Sequence, residues 1–384
     1  MPTTIHLRGL AAEPLAITAE PCAGDPRVLA PSGMSEPRAR ELAIRVRAAL
    51  AAAGQPLRRA VQLRATHPLR PEHDLAAAVA VAAALGACTD TVAVLLGELD
   101  LSGRIRRCRG VLPALLGYDG AAVVPLENSG EGAIAAAAAA ATPAGGLDVW
   151  TADSLADVLG WLRGGSLAPA EVAPPGCAEP GPLWSDLPNH TRERTEIHAA
   201  IRAGRGVLLC GPAESGKTML ARRVPTLLPA WSCAEAIESS AIHSLAGLLD
   251  GRRGLLEGRP FRAPHHTVSA AALLGGGDPL RPGEVSLAHG GVLFIDEVLE
   301  FHWRVLGQLA AALRRGVTAV ARARERADFP ARPLLVAAVN PCPCGYAGHP
   351  SRRCACSVER VTAWRERINR AVAALGLVEI EVSP

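Results

Sequence analysis

The tightest constraint on the fold is local. A short apolar run, Gly206-Val207-Leu208-Leu209-Cys210, enters a glycine-bounded loop, Gly211-Pro212-Ala213-Glu214-Ser215-Gly216-Lys217-Thr218, and a helical stretch beginning Met219-Leu220-Ala221-Arg222-Arg223-Val224 leaves it. A buried strand turning straight into a helix belongs to a parallel α/β sheet. The loop spells G-x-x-x-x-G-K-[ST], in which glycines let backbone N–H groups converge on phosphate oxygens. The lysine reaches those oxygens as a compact point charge, and the threonine hydroxyl can ligate Mg²⁺. Lys217 is the one lysine among 384 residues; arginine supplies all the other Lys/Arg positions. A plain positive charge is written as arginine in this chain, so the lone lysine marks a place where a guanidinium does not fit. A chance match in a Gly-rich turn is the rival reading of the eight residues, and the flanking strand and helix argue against it. The expected ligand is ATP with Mg²⁺, held by Gly211, Pro212, Ala213, Glu214, Ser215, Gly216, Lys217 and Thr218.

Two further strand ends fit that site. Gly291-Val292-Leu293-Phe294-Ile295 is apolar enough to be buried on both faces, and it ends in Asp296-Glu297. Asp296 is expected to help hold the Mg²⁺ and Glu297 to polarise an attacking water. Two solvated acids after a strand are common by themselves; paired with a phosphate loop they are less so. Pro333-Leu334-Leu335-Val336-Ala337-Ala338-Val339 ends at Asn340, whose amide can orient the same water.

Composition bounds the rest. A net charge of +3 is too small to make the chain a general polyanion binder, so nucleic-acid contact requires local clustering. No stretch reads as a signal peptide or a membrane span, and the expected location is cytoplasmic. Ten cysteines in a chain without an export signal read as reduced or metal-bound rather than disulfide-linked. Cys88, Cys210 and Cys233 have apolar neighbours and read as core residues.

The prolines between Ser166 and Pro188 leave little room for regular structure and divide the chain. The expected organisation is an α+β domain over 1–165, a linker over 166–190 and a parallel α/β core over 191–384. Within the first, helices are expected over Glu41–Ala53, Asp74–Leu85 and Ala133–Ala141, with a β-like segment at Thr91–Leu96.

Two clusters leave alternatives open. Arg322, Arg324 and Arg326 alternate in Val320-Ala321-Arg322-Ala323-Arg324-Glu325-Arg326, which puts all three on one face if the segment is one strand. Such a stripe reads equally as a sequence-blind DNA contact or as a solvated edge strand. Cys342-Pro343-Cys344 and Cys354-Ala355-Cys356 form two C-x-C pairs with His349 between them. Four thiolates could close a Zn²⁺ site, although structural zinc pairs usually have two to four intervening residues; a redox pair or ordinary thiols is the rival reading.

Several motifs together resemble the YifB/ComM family of AAA+ ATPases, akin to the magnesium-chelatase ATPase subunit. They are Phe261-Arg262-Ala263-Pro264-His265-His266-Thr267, Gly275-Gly276-Gly277, Arg281-Pro282-Gly283-Glu284-Val285-Ser286-Leu287-Ala288-His289 and Asn340-Pro341-Cys342-Pro343-Cys344-Gly345-Tyr346. The resemblance covers nearly the whole chain. It implies a hexameric ring that couples ATP hydrolysis to movement along DNA, with branch migration during natural transformation. It gives Asn340 the role of a sensor, and it points the arginine hairpin and His265-His266 at a pore. The latter two also read as a simple polar turn.

The same resemblance implies a Lon-protease-like (ribosomal-S5-like) first domain, similar at Gly97-Glu98-Leu99-Asp100-Leu101-Ser102-Gly103-Arg104 and at Arg109-Gly110-Val111-Leu112-Pro113. Lon chemistry needs a lysine beside its serine, and Lys217 is already committed to phosphate, so no peptidase activity is expected. The family also implies an arginine that reaches a neighbour's nucleotide, but Ala374-Leu375 stand where Asp-Arg is expected. Such a finger is worth ~10³–10⁵ in turnover. Arg367 and Arg370 are the candidates to replace it. The family's helical lid would follow Pro384. The expectation is therefore a shortened copy lacking that lid, with a hydrolysis-deficient nucleotide-binding remnant or a chelatase-like protein-remodelling ATPase as alternatives to the DNA motor.

Overall fold

The computed structural model describes residues 2–25, 29–31, 34–89, 93–142, 146–173, 182–322 and 325–383, without the side chains of Leu29, Ala30, Arg322 and Glu325. The chain packs as two units. One comprises Met1–Gly176 with Ser240–Leu256; the other comprises Cys177–Ser239 with Glu257–Pro384.

The first unit is built on an eight-stranded mixed sheet. Its order is Ala168–Pro169, Leu147–Ala152, Gly120–Pro125, Val94–Leu95, Thr3–Arg8, Ala11–Cys22, Ala60–Ala65 and Leu29–Pro31. Side chains alternate across a strand, so Val123 and Leu95 enter one core while Ala122, Val124 and Val94 enter another. Leu42, Val46 and Leu50 of helix Glu36–Ala52 fill the first core, with helix Asp74–Ala84, which is apolar all round and buried over nearly its whole length. Val111–Leu115, part of Ser129–Ala140, and Ala241 and Leu249 of the Ser240–Leu256 segment fill the second.

That segment is fastened to Ser129–Ala140 at close quarters. A Cβ on Gly130 would lie 2.1 Å from the carbonyl oxygen of Arg252, so only glycine allows the approach. Glu131, buried beside it, accepts from the Leu112 N–H at 2.9 Å, from the Asn128 amide at 2.7 Å and from the Ser244 hydroxyl. The hairpin of Glu98–Leu99 and Ile105–Arg106 is closed by Asp100, which accepts from the backbone N–H of Ser102 and Arg104.

In the second unit five parallel strands form one sheet: β1 Val207–Cys210, β2 Phe261–Arg262, β3 Val292–Ile295, β4 Leu334–Val339 and β5 Val378–Glu381. Their spatial order is β5-β1-β4-β3-β2. β1 and β3 are buried along their whole length, and β4 is nearly so, which is why these segments read as unbroken apolar runs. Helices Thr191–Arg202, Lys217–Ala221, Trp303–Arg315 and Val358–Leu375 belong to the same unit.

Three expectations need correction. Ala168–Pro169 is not structureless: it pairs antiparallel with Leu147–Ala152 as the edge strand, where a proline's missing N–H costs no ladder bond. Residues 174–181 of that proline-rich stretch, and Thr91 of the β-like segment, lie outside the described residues. Cys210 is buried, but Cys88 is only half-buried and Cys233 is exposed at the start of helix Cys233–Ala246. The arginine segment is not one strand but a hairpin, as the family resemblance implies: Val317–Arg322 pairs with Glu325–Pro330, with Ala321 opposite Arg326 and Arg322 opposite Glu325. The chain reverses inside the arginine run, so simple alternation cannot align the three. Among the described residues, no helix is long and apolar enough to cross a membrane.

Candidate functional site

β1 delivers the chain into the Gly211–Gly216 loop, and helix Lys217–Ala221 carries it away. Gly216 adopts φ 83°, a left-handed conformation that glycine reaches without steric penalty, and so lets the helix begin at Lys217. The Lys217 ammonium lies back on its own loop, donating to the carbonyls of Gly211 at 2.7 Å and Pro212 at 2.6 Å. A third bond, at 3.2 Å, goes to Asn340 Oδ1 at the end of β4. Burial pulls the Lys217 pKa below its ordinary value, opposed by the carboxylates of Asp296 and Glu297.

β3 ends beside the same loop. Asp296 Oδ2 accepts from the Thr218 hydroxyl at 3.4 Å, and both Asp296 and Glu297 are exposed. Glu297 has φ 49°, a conformation uncommon for a residue other than glycine. Trp364 donates its indole N–H to the Asn340 carbonyl at 2.9 Å and so fixes the backbone behind the amide. The structure thus brings Lys217, Thr218, Asp296 and Asn340 together, with Glu297 next in the chain. The residues fit a phosphate–metal ligand on one observation: the Ser215 hydroxyl is buried inside the loop and has no partner among the described residues. A cleft of about 1010 Å³ borders β5 and meets the loop at Pro212, but it is lined by Arg192, Glu196, Arg365 and Glu379 rather than by the lysine or the acids.

Residues 342–356 fold into a knuckle directly after Asn340. Their four sulfurs lie within 4.8 Å of one another. Cys342 Sγ is 3.4 Å from Cys344 Sγ and 3.7 Å from Cys354 Sγ, and Cys344 to Cys354 is 3.6 Å. The Ala347 N–H donates to Cys342 Sγ at 3.3 Å. Backbone N–H groups of Tyr346 and Ala355 hold the Cys344 thiol down to about 6. The knuckle also touches the phosphate loop. The Ala213 N–H donates to the Gly345 carbonyl at 3.0 Å, and Arg352 stands 3.9 Å from the Glu214 carboxylate.

Among the described residues, the other expected ones make their contacts elsewhere. Arg326 is exposed and 3.7 Å from Asp328, while Arg324 and the side chain of Arg322 lie outside the described residues. His265 bonds Thr267 within its own turn. Arg367 donates to the Leu299 carbonyl at 2.8 Å and lies over the Trp364 ring. Arg370 is exposed. Trp364 and the Gly345 latch went unread, because hydrogen bonds made between distant residues leave no local pattern. The bidentate pair of Arg262 with Glu284, at 2.6 and 2.7 Å, was equally silent.

Comparison with known proteins places this geometry in a class. The family model described as magnesium chelatase, subunit ChlI, matches residues 184–383, and a second, subunit ChlI of Mg-chelatase, matches residues 22–128. The chain belongs to this magnesium-chelatase-like AAA+ family. Among individual relatives, the YifB protein of Salmonella typhimurium is 33% identical over 95% of this chain and 72% of its own. An uncharacterized protein of Mycobacterium tuberculosis is 42% identical over 70% of this chain and 52% of its own. The competence protein ComM of Haemophilus influenzae is 35% identical over 65% of this chain and 49% of its own. With several of these relatives the match spans only about half of their length.

Proposed function

We propose that the chain binds ATP with Mg²⁺ at the Gly211–Thr218 loop and hydrolyses it as one subunit of a homo-oligomeric, six-membered ring that moves DNA. The observation that carries the nucleotide reading is the meeting of Lys217, Thr218, Asp296 and Asn340 at the ends of β1, β3 and β4. Loop N–H groups and the Lys217 ammonium would hold the phosphates. Thr218 and Asp296 would hold the Mg²⁺, which when bound supplies charge neutralisation for phosphoryl transfer. Glu297 would accept the proton of the attacking water, and the Asn340 amide would orient that water. Lys217 is free to serve because its present partners are carbonyls of its own loop, which phosphate oxygens outcompete as acceptors for an ammonium.

Support for DNA as the partner comes from the similarity to a competence protein and from Arg326, which is exposed on the Val317–Arg322/Glu325–Pro330 hairpin. A second reading is a chelatase-like ATPase that remodels a protein; the magnesium-chelatase description of the matching family model supports the chelatase likeness. Steady-state phosphate release with and without DNA, beside Lys217→Ala, separates these outcomes. Turnover that DNA stimulates and Lys217→Ala abolishes is expected. Turnover indifferent to DNA would favour the remodelling reading, and a rate equal to the Lys217→Ala control would overturn hydrolysis altogether.

A further inference from the structure

We infer that Cys342, Cys344, Cys354 and Cys356 bind one Zn²⁺, and that this metal is the fastener holding the end of β4 against the phosphate loop. A tetrahedral tetrathiolate zinc site with Zn–S bonds of about 2.3 Å has sulfur-to-sulfur edges of about 3.8 Å. The three distances here are 3.4, 3.6 and 3.7 Å, and the fourth sulfur completes the group within 4.8 Å of the rest. A disulfide needs about 2.05 Å. Four soft sulfur donors select zinc over the hard cation expected at the phosphate loop.

The connection to the phosphate loop is short and made of named bonds. Cys342 follows Asn340 by two residues, and the Asn340 amide accepts from Lys217. The Gly345 carbonyl, inside the first turn of the knuckle, accepts from the Ala213 N–H of the phosphate loop. Arg352, two residues before Cys354, stands beside Glu214 of that loop and donates to the Tyr346 hydroxyl at 2.9 Å. Between Cys344 and Cys354 the chain has few buried side chains to hold its shape. The four sulfurs therefore supply the cohesion that a hydrophobic core supplies elsewhere. Binding converts four thiols to thiolates, releases four protons and leaves the site with a charge of −2, which Arg352 and Arg353 flank.

The part of this inference that links the metal to nucleotide rests on the ATP-binding reading; the metal itself does not. The test uses the full chain purified without added metal. Elemental analysis should find one zinc per chain, and replacement by Co²⁺ should give the visible d–d and sulfur-to-metal charge-transfer bands of a tetrahedral tetrathiolate. Absence of metal together with no such spectrum would overturn the site, as would a Cys342–Cys354 disulfide, and iron in place of zinc would overturn the metal's identity. Nucleotide affinity is then measured with a fluorescent ATP analogue before chelation, after chelation and after zinc is restored. Affinity should fall about tenfold and recover, the scale of the Ala213–Gly345 bond that braces the phosphate loop. An affinity unmoved by chelation would overturn the fastening role while leaving the metal in place. A chain that binds zinc but no nucleotide in any state would refute the ATP reading instead. Because Cys354→Ser could misfold the knuckle, Cys356→His, which keeps four ligands, is included; it should retain both the metal and the affinity.

Discussion

Lys217 and Asn340, 123 residues apart, are joined by a 3.2 Å hydrogen bond from the ammonium to the side-chain amide oxygen. The bond ties the end of β4 to the start of the helix after β1, across adjacent parallel strands. It is one of three that the ammonium makes, and the other two go to backbone carbonyls that no side-chain change can remove.

Removing the amide should therefore leave the lysine in place. Asn340→Ala is expected to keep ATP affinity within a few-fold of the parent while lowering kcat by roughly 10²–10³, the usual cost of one oriented donor. Equilibrium titration beside steady-state turnover checks the split. A collapse of affinity with kcat intact would show Asn340 to be a binding residue.

Glu297 lies one residue beyond the acid that touches Thr218 and is exposed. Glu297→Gln preserves shape and removes basicity. Turnover should drop by roughly 10²–10⁴ with nucleotide still bound. Single-turnover phosphate release reports this directly, and a rate equal to the parent's would remove Glu297 from the chemistry.

Glu131 gathers three buried donors. Glu131→Ala strands the Leu112 N–H, the Asn128 amide and the Ser244 hydroxyl, each at about 1–3 kcal/mol. A loss of at least about 3 kcal/mol in denaturant unfolding of the first unit is expected, with Glu131→Gln recovering part of it. If Glu131→Ala unfolds at the parental midpoint, the three bonds are not holding Ser240–Leu256 in place.

Asp74 is fully buried beside Arg45, at 2.7 Å, and burial pushes its pKa up from 3.8 to about 7. The folded state thus binds the proton more tightly than the unfolded chain. The contribution of this group is complete below pH 3.8 and is lost as pH rises through about 7. The difference in stability between Asp74→Asn and the parent should change by up to about 4 kcal/mol across that window. Thermal melts at closely spaced pH values test it, and a flat difference curve would show that Asp74 stays ionised in the folded state.

The phosphate loop, β3 and β4 could be read from the sequence because each is a contiguous pattern with a chemical reason for its spacing. A buried parallel strand must be apolar at every position, and Gly211, Gly216, Lys217 and Thr218 sit at fixed offsets from one another. The arginine run is harder, because alternation written across the two strands of a hairpin looks the same as alternation along one strand; Arg322 and Arg326 lie on different strands. Ala168–Pro169 was missed because proline disfavours strands in general but not at an edge. The packing of Ser240–Leu256 with the first unit depends on Gly130, Glu131 and Leu112, more than a hundred residues earlier. Nothing local to those seventeen residues announces it.

That packing makes each unit discontinuous in the gene. A ribosome has already released β1, Lys217 and Thr218 before it finishes the first unit at Leu256, so part of the second unit is out while the first is still incomplete. Heredity is constrained in the same way. No single recombination breakpoint divides the two units cleanly, and a crossover between Cys177 and Ser239 would separate the first unit from the stretch of polypeptide that seals its second core.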